Sequence, residues 1–201
     1  MKILIENTMI PGTILSREQM DGLTGKAFLN RVFYVSDGVM LAQIRKIAGI
    51  DGSTLQNWTK RGWVASSPSK RYDMDQVAHI LLINMLRSCV QLDRIAWLLQ
   101  YVNGDINDES DDIIRETELY DLICMTLDRL EYETLCTGQV ISGAISDVLR
   151  GYNETVVGAR ERLANALEII VGSYCAALIK RGADARMAVL SGEGGAESAQ
   201  A

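Results

Sequence analysis

Hydrophobic positions recur at helical spacing along most of this chain, and the most regular stretch lies in residues 39–99. A short helix is predicted at residues 41–48. Its apolar face would consist of Leu41, Ile44, Ile47 and Ala48. Gly49 comes next, and a glycine there ends a helix readily because it adopts the left-handed conformation without a Cβ clash. The pattern predicts a short helix followed directly by a tight turn.

A second short helix is predicted after the turn, over residues 53–61. Asp51 and Ser53 are candidate N-caps, since their side-chain oxygens accept the amide hydrogens that a first helical turn leaves unpaired. Leu55 and Trp58 form its apolar side, and its other sides carry hydrogen-bonding groups. Two short helices of this kind are typical of a helix-turn-helix that enters the major groove of DNA. The same pair also occurs in all-α domains that bind no nucleic acid.

A short basic loop follows in residues 64–72 and includes Lys70 and Arg71. Asp73 and Gln76 then form a capping box, the pairing of an N-cap side chain with a side chain three residues later. A cationic loop between a polar helix and a capped helix is typical of a small wing beside a phosphate backbone. This loop raises the expectation of DNA binding above that from the two helices alone.

Further amphipathic helices are predicted on both sides of this stretch. Before it, Ser16 and Gln19 form a capping box that would open a helix through about Val32. After it, the predicted helices span residues 74–89, 92–101, 113–135, 140–149 and 154–180. The fold class is therefore predicted to be all-α, a winged helix-turn-helix module followed by a C-terminal helical region.

The last predicted helix carries apolar residues seven positions apart, with others between them. The series is Val156, Leu163, Ile170 and Ala177, with Leu167 and Tyr174 between. This spacing favours a helix–helix seam, either between two copies of the chain or inside a single copy. From Gly182 onward the residues are mostly small and polar, which predicts a disordered tail.

Charge is distributed unevenly along the chain, whose formal net charge is −6. Residues 36–104 contain eight basic and five acidic side chains, a net charge of +3. Residues 105–150 contain three basic and twelve acidic side chains, a net charge of −9. A mildly basic module joined to an acidic one is consistent with DNA contact at one end and partner contact or solvation at the other. The small positive excess predicts weak, salt-sensitive binding by a monomer, which dimerisation would strengthen.

Composition indicates a cytoplasmic protein with no membrane partner. The chain has 201 residues, of which 48% are hydrophobic, enough for one domain, or for one small domain with a helical extension. Its longest apolar runs are too short to cross a bilayer, and no basic segment followed by a long apolar stretch opens the sequence. Four cysteines without paired spacing are expected to be reduced core residues: Cys89, Cys124, Cys136 and Cys175.

An enzyme is not expected, and neither a cofactor nor a metal is predicted. The chain contains one histidine, His79, which is expected to be packed or half-exposed rather than a ligand. The acids of residues 105–116 fall at calcium-loop spacing, but Ser110 replaces the glycine that the sharp turn requires. Acids gathered at a helix N-terminus, where the dipole favours them, are the stronger interpretation. The three tryptophans, Trp58, Trp63 and Trp97, are expected to pack rather than to stack on bases.

Several segments together resemble the MerR-type winged helix-turn-helix. They are MLAQIRKIAGI at residues 40–50, Thr54, Leu55, Trp58, RGWV at residues 61–64, Arg71 with Tyr72, and QLDRI at residues 91–95. The chain is more similar still to an uncharacterised bacterial family described as a MerR-like domain of unknown function. That resemblance extends to NGD at 103–105, ESDD at 109–112 and ELY at 118–120. Gln56 and Asn57 replace the arginine and tyrosine usual in MerR proteins, so that family's base preference does not carry over.

The expected function is that of a DNA-binding transcriptional regulator. Ser53, Gln56 and Asn57 are candidates for contacts with base edges, since Gln and Asn pair with adenine through two hydrogen bonds; Thr54 belongs to the same helix. The expected contacts to phosphate are Lys60, Arg61, Lys70 and Arg71, and Tyr72 would brace the wing. The partners are therefore double-stranded DNA and, as the MerR resemblance implies, a second copy bound through the C-terminal helices.

The predicted domain organisation has four parts. These are an N-terminal extension at residues 1–35, the winged module at 36–104, an acidic helical dimerisation or effector region at 105–181, and a disordered tail at 182–201. One alternative is an all-α protein–protein interaction module without DNA contact. Another is an effector pocket among the C-terminal helices, where Cys124, Cys136 and Cys175 would bind metal or act in redox chemistry; structural thiols are favoured over that role.

Overall fold

A computed structural model describes residues 8–34, 38–67, 71–105, 108–130 and 137–191. Within those ranges most residues are helical, and the only other regular elements are one two-stranded sheet and a bridge between Met9 and Ser16, which is compatible with the all-α class. The helices are α1 (Gly25–Phe33), α2 (Leu41–Ala48), α3 (Gly52–Lys60), α4 (Met74–Leu86), α5 (Leu92–Asn103), α6 (Glu116–Leu130), α7 (Gly138–Val148) and α8 (Ala159–Ser191). Three-residue 3-10 turns occur at Glu18–Met20, Glu109–Asp111 and Leu149–Gly151.

The turn between α2 and α3 forms as the sequence predicts. Gly49 follows α2 in the left-handed conformation, with φ of 66°, and its amide donates to the carbonyl of Arg45. Asp51 is the N-cap of α3, since its carboxylate accepts the amide hydrogen of Thr54 at 2.6 Å. Gly62, with φ of 72°, follows the end of α3. Local backbone chemistry therefore fixes both ends of the turn.

A small antiparallel sheet lies next to this pair of helices. Its strands are β1 (Val39–Met40) and β2 (Arg71–Tyr72), with Val39 opposite Tyr72 and Met40 opposite Arg71. The predicted capping box forms directly after β2: Asp73 accepts from the amide of Gln76 at 2.8 Å, and Gln76 accepts from the amide of Asp73 at 3.1 Å. The sheet therefore connects the start of α2 to the start of α4.

The N-terminal helix is shorter than predicted. The capping box of Ser16 and Gln19 is present, with bonds of 2.9 and 3.1 Å, but it opens only one 3-10 turn. Asp21 and Gly22 both have positive φ, and the backbone leaves the helical path there before α1 begins at Gly25. The prediction of one continuous helix from residue 16 to 32 is wrong, because two residues in the left-handed region break it.

One hydrophobic core joins helices from the beginning, the middle and the end of the described chain. It includes Phe28 of α1, Trp58 of α3 and Leu167 of α8. Helix α6 lies against α1, α4, α7 and α8, so the acidic region supplies a central packing element. Of the cysteines, Cys124 and Cys175 are buried as expected; Cys89 is exposed, and Cys136 lies outside the described residues.

The heptad series on the last helix is buried within its own chain. Leu163, Ile170 and Ala177 are at most 3% exposed, because they pack into the core, whereas Val156 precedes α8 and is exposed. These residues are therefore not available as a dimer seam. Helix α8 also continues to Ser191, so the disorder predicted from Gly182 is wrong for residues 182–191; residues 192–201 lie outside the described ranges. Good helix formers such as alanine, arginine and methionine occupy this extension.

Helix α8 is long and apolar enough to cross a membrane by length and composition, with a mean hydropathy of 1.4 over its most apolar window. However, 44% of that window is buried inside the protein. Buried core helices have the same composition, so this property is weak evidence for a membrane span.

A segment before α1 ties the α2–α3 turn to the rest of the core. The amide of Ile14 donates to the carbonyl of Ile47 at 2.9 Å, and the side-chain amide of Asn84 donates to the carbonyls of Gly12 and Ala48. Tyr120 of α6 donates its hydroxyl hydrogen to the carbonyl of Pro11 at 2.7 Å. The C-terminal end of α2 is therefore held by a loop that also contacts α6.

We expect Gly49→Ala to lower the free energy of unfolding by about 1–2 kcal/mol, because Ala would occupy the left-handed region. A Cβ at residue 49 would also collide with Cγ2 of Ile14. Gly62→Ala is the matched control, since Gly62 has φ of 72° and no atom near its Cβ position among the described residues. Urea unfolding should show a larger loss for Gly49→Ala. Equal losses would contradict the proposed contact with Ile14.

Candidate nucleic-acid interface

Helix α3 presents its polar side chains outward. Leu55 and Trp58 are each 1% exposed and fix the inner face of the helix, whereas Gln56, Asn57 and Lys60 are exposed. The helical period that points Leu55 and Trp58 inward also points these three side chains outward. The described part of this chain therefore leaves the predicted base-contacting face open to solvent.

The N-terminus of α3 is organised by a network around Asp51. The hydroxyls of Ser53 and Thr54 both donate to its carboxylate, at 2.6 and 3.1 Å, and the Thr54 amide donates at 2.6 Å. Hydrogen bonds from Ser53, then from Thr54, lower the pKa of Asp51 to about 2. Ser53 and Thr54 thus have their hydroxyl hydrogens committed to the cap, although their oxygens still accept. The sequence identified the cap but not this restriction.

The predicted phosphate contacts have different surroundings. Lys60 and Arg61 are exposed at the end of α3, and the Arg61 guanidinium lies 5.0 Å from the centre of the Trp63 ring. Arg71 is also exposed, and its guanidinium donates to the Gly38 carbonyl at 3.2 Å. Lys70 lies outside the described residues. Of the named cations, Lys60 and Arg61 are the pair placed next to Gln56 and Asn57.

Tyr72 is half-buried and packs against the hydrophobic core from β2. Burial raises the pKa of its hydroxyl. Its position is consistent with the predicted bracing role.

Two further cations, Arg45 and Lys46, belong to the basic excess of residues 36–104. Both are exposed in the last turn of α2. Basic side chains in a last helical turn are favoured by the helix dipole, which is a sufficient structural reason for their presence. They also add positive charge to the element directly before α3.

His79 joins the segment after α3 to helix α6. It is 7% exposed; its Nδ1 lies 3.0 Å from Oε1 of Glu116, and its Nε2 lies 2.8 Å from the carbonyl of Trp63. Burial alone would lower the pKa of His79, but Glu116, the Trp63 carbonyl and Asp112 outweigh it and raise the pKa. The sequence predicts a packed histidine; no signal in it identifies the partner, which lies 37 residues away.

A groove of about 1440 Å³ lies beside His79. Its walls include residues 61–65, the start of α4, one face of α5 and the start of α6. Trp97 of α5 lines it and is 61% exposed, so the expectation of a packed tryptophan is met there only by its stacking on Tyr101. Trp58 packs as expected, and Trp63 is half-buried. The sequence did not identify the exposed face of α5, because Ile95, Leu98 and Leu99 account for the apolar pattern of this helix and form its buried face.

Comparisons with known proteins relate this region to proteins without an assigned activity. Residues 27–123 match a family model described as "Domain of unknown function (DUF1836)". The "Uncharacterized protein YkrK" of Bacillus subtilis (strain 168) is 25% identical over 99 residues, which are 47% of this chain and 42% of that protein. The chain therefore matches less than half the length of this relative. No solved structure matches the chain. Neither description mentions MerR-type proteins, an activity or a partner.

Proposed function

We propose that this chain is a DNA-binding transcriptional regulator, in which α2 and α3 act as a helix-turn-helix of MerR-like type and β1–β2 forms a small wing. The observation that carries the proposal is the exposed face of Gln56, Asn57 and Lys60 above a buried Leu55 and Trp58. A helix anchored by two fully buried side chains presents its outward groups in a fixed orientation, which sequence readout requires.

The proposed roles follow the surroundings of each side chain. Gln56 and Asn57 would read base edges, because each can donate and accept at adenine. Ser53 and Thr54 would act only as acceptors, since both hydroxyls already donate a hydrogen bond to the Asp51 carboxylate. The phosphate contacts would come from Lys60, Arg61, Lys70 and Arg71, with Tyr72 supporting the wing.

Regulators that bind DNA through so few cations gain affinity from dimerisation. We propose a cytoplasmic homodimer joined by the end of α8 rather than by the buried heptad series. Large apolar side chains are exposed along that end: Ile179, Met187, Val189 and Leu190. Sedimentation equilibrium of the full chain should show a dimer that Met187→Glu with Leu190→Glu dissociates. A dimer unaffected by this change would place the interface elsewhere.

The test of DNA binding is fluorescence anisotropy with random duplex DNA at low and moderate salt, followed by genomic footprinting with the purified protein. A regulator should bind the random duplex weakly and with steep salt dependence, and it should protect discrete genomic sites. Negligible, salt-insensitive binding would contradict the proposal. The second candidate is a protein–protein interaction module without DNA contact, which the acid-lined groove favours.

We expect Asn57→Ala to relax sequence preference by about 1–3 kcal/mol at one base pair, because a base contact is lost while the phosphate contacts remain. Selection from a randomised duplex library would measure this. Arg71→Ala is the contrasting variant and should weaken binding to all sequences alike, with a salt slope flatter by about one unit, as should Lys70→Ala. Uniform loss in both cases would contradict this division of roles.

A further inference from the structure

The groove beside His79 has a wall formed by one helical face. Asp93, Trp97 and Gln100 line it from α5 at spacings of four and three residues, so they share a side of that helix. The start of α6 and the residues before it, from Asp112 to Glu118, also line the groove. A set of side chains from separate helices therefore converges on one concave surface.

The groove carries strong negative charge. Among the described residues that line it there are eight carboxylates and two guanidiniums, a formal charge of −6, or −5 when His79 is protonated. Several of the carboxylates already have structural partners: Asp73 caps α4, Asp75 lies 2.6 Å from Arg115, Glu116 lies 3.0 Å from His79, and Asp108 accepts from the Ser110 amide at 3.0 Å. Asp93 and Glu118 remain exposed, and Glu118 is only at the limit of an ion pair with Lys26, at 4.0 Å. These two side chains are available to an incoming cation.

Trp97 gives the acidic groove an apolar binding surface. It is 61% exposed and stacks on Tyr101, with ring centres 5.6 Å apart and planes inclined by 20°. Exposed tryptophan is enriched at binding surfaces, and its ring face attracts lysine and arginine. Carboxylates that line the same groove would contribute to the attraction of a cationic side chain that also has an apolar stem.

We propose that this groove is a docking site for a basic peptide segment of another protein. Charge complementarity selects the sign of the partner. The volume of about 1440 Å³ exceeds the roughly 300–1,000 Å³ of pockets that enclose small ligands, which favours a peptide over a small organic cation. Lysine or arginine of the segment lies over Trp97, with Asp93 and Glu118 as its ionic partners. Gln56 and Asn57 do not line the groove, although Arg61 does, and the inference does not rest on DNA binding.

The experiment is selection of random displayed dodecapeptides on the full-length chain, followed by Kd measurement for the enriched peptides. We expect enriched peptides to carry net positive charge. Trp97→Ala should weaken them at least about tenfold, as expected for an aromatic anchor, and Trp97→Phe should restore most of the affinity. Asp93→Asn with Glu118→Gln should also weaken them. The matched control is Glu161→Gln with Glu168→Gln, two exposed carboxylates of α8 that do not line the groove, and it should leave Kd unchanged.

Five results would overturn the proposal, and the first four concern binding of other molecules. These four are no enrichment, enrichment of neutral or acidic peptides, equal weakening by the Glu161 and Glu168 control, and Trp97-dependent binding of phenyltrimethylammonium without binding of any basic peptide. Self-association that disappears in the Asp93→Asn, Glu118→Gln variant would assign the groove to a second copy of this chain and would also overturn it. The affinity of the same variants for a random DNA duplex is measured as well. Failure of the peptide proposal can then be distinguished from failure of the proposed DNA binding.

Discussion

Replacing Lys60 and Arg61 with glutamine should weaken binding to every duplex sequence by roughly 60-fold at about 0.1 M salt. Each phosphate contact releases about 0.9 of a counterion. The loss of two contacts therefore reduces the exponent with which the binding constant depends on salt concentration by about 1.8. Both side chains are exposed at the end of α3, and neither belongs to the hydrophobic core. The salt slope should therefore flatten by nearly two units while the ranking of sequences is unchanged.

The matched control for this variant is Arg129→Gln with Arg150→Gln, which changes net charge equally at exposed positions on α6 and after α7. Anisotropy titrations at several salt concentrations would measure both slopes, and thermal unfolding would show that both variants fold. A similar flattening in the control would mean that overall charge, rather than the end of α3, determines the salt dependence. A changed sequence ranking without a changed slope would contradict the assignment of Lys60 and Arg61 to phosphates.

The features that sequence predicted well are those fixed within a few residues. The left-handed Gly49, the Asp51 cap and the capping box of Asp73 each depend on neighbours within one helical turn, and all three are present. The limits of α2 follow for the same reason. These three caps and turns are local, so a single sequence contains enough information to place them.

The features that sequence missed depend on contacts between distant segments. A heptad series specifies an apolar seam but not which helix covers it, and α8 is covered by its own chain. Trp97 has a large, mostly apolar side chain that is typical of a core residue, yet Ile95, Leu98 and Leu99 already fill the inner face of α5. The contact between His79 and Glu116 likewise has no local signature. Tertiary packing decides each of these.

His79→Gln should lower the free energy of unfolding by about 3 kcal/mol at pH 6, because it removes the buried cation beside Glu116. Both ring nitrogens face oxygen acceptors, Nδ1 the Glu116 carboxylate and Nε2 the Trp63 carbonyl, so the doubly protonated imidazolium satisfies both. Asp112 adds further negative charge on the same side. The raised pKa of His79 agrees with this geometry, and urea unfolding at fixed pH would measure the loss.

The pH dependence of stability gives an independent check on the charge of His79. A folded pKa above the usual 6.5 means that the folded chain binds the proton more tightly than the unfolded chain. The stabilisation is therefore fully present below pH 6.5 and is lost as pH rises through the folded pKa. His79→Gln should abolish this slope, and Glu116→Gln should reduce it. A slope that persists unchanged in His79→Gln would assign it to other groups. In the double variant His79→Gln, Glu116→Gln, a loss equal to the sum of the two single losses would show that the two side chains are not coupled.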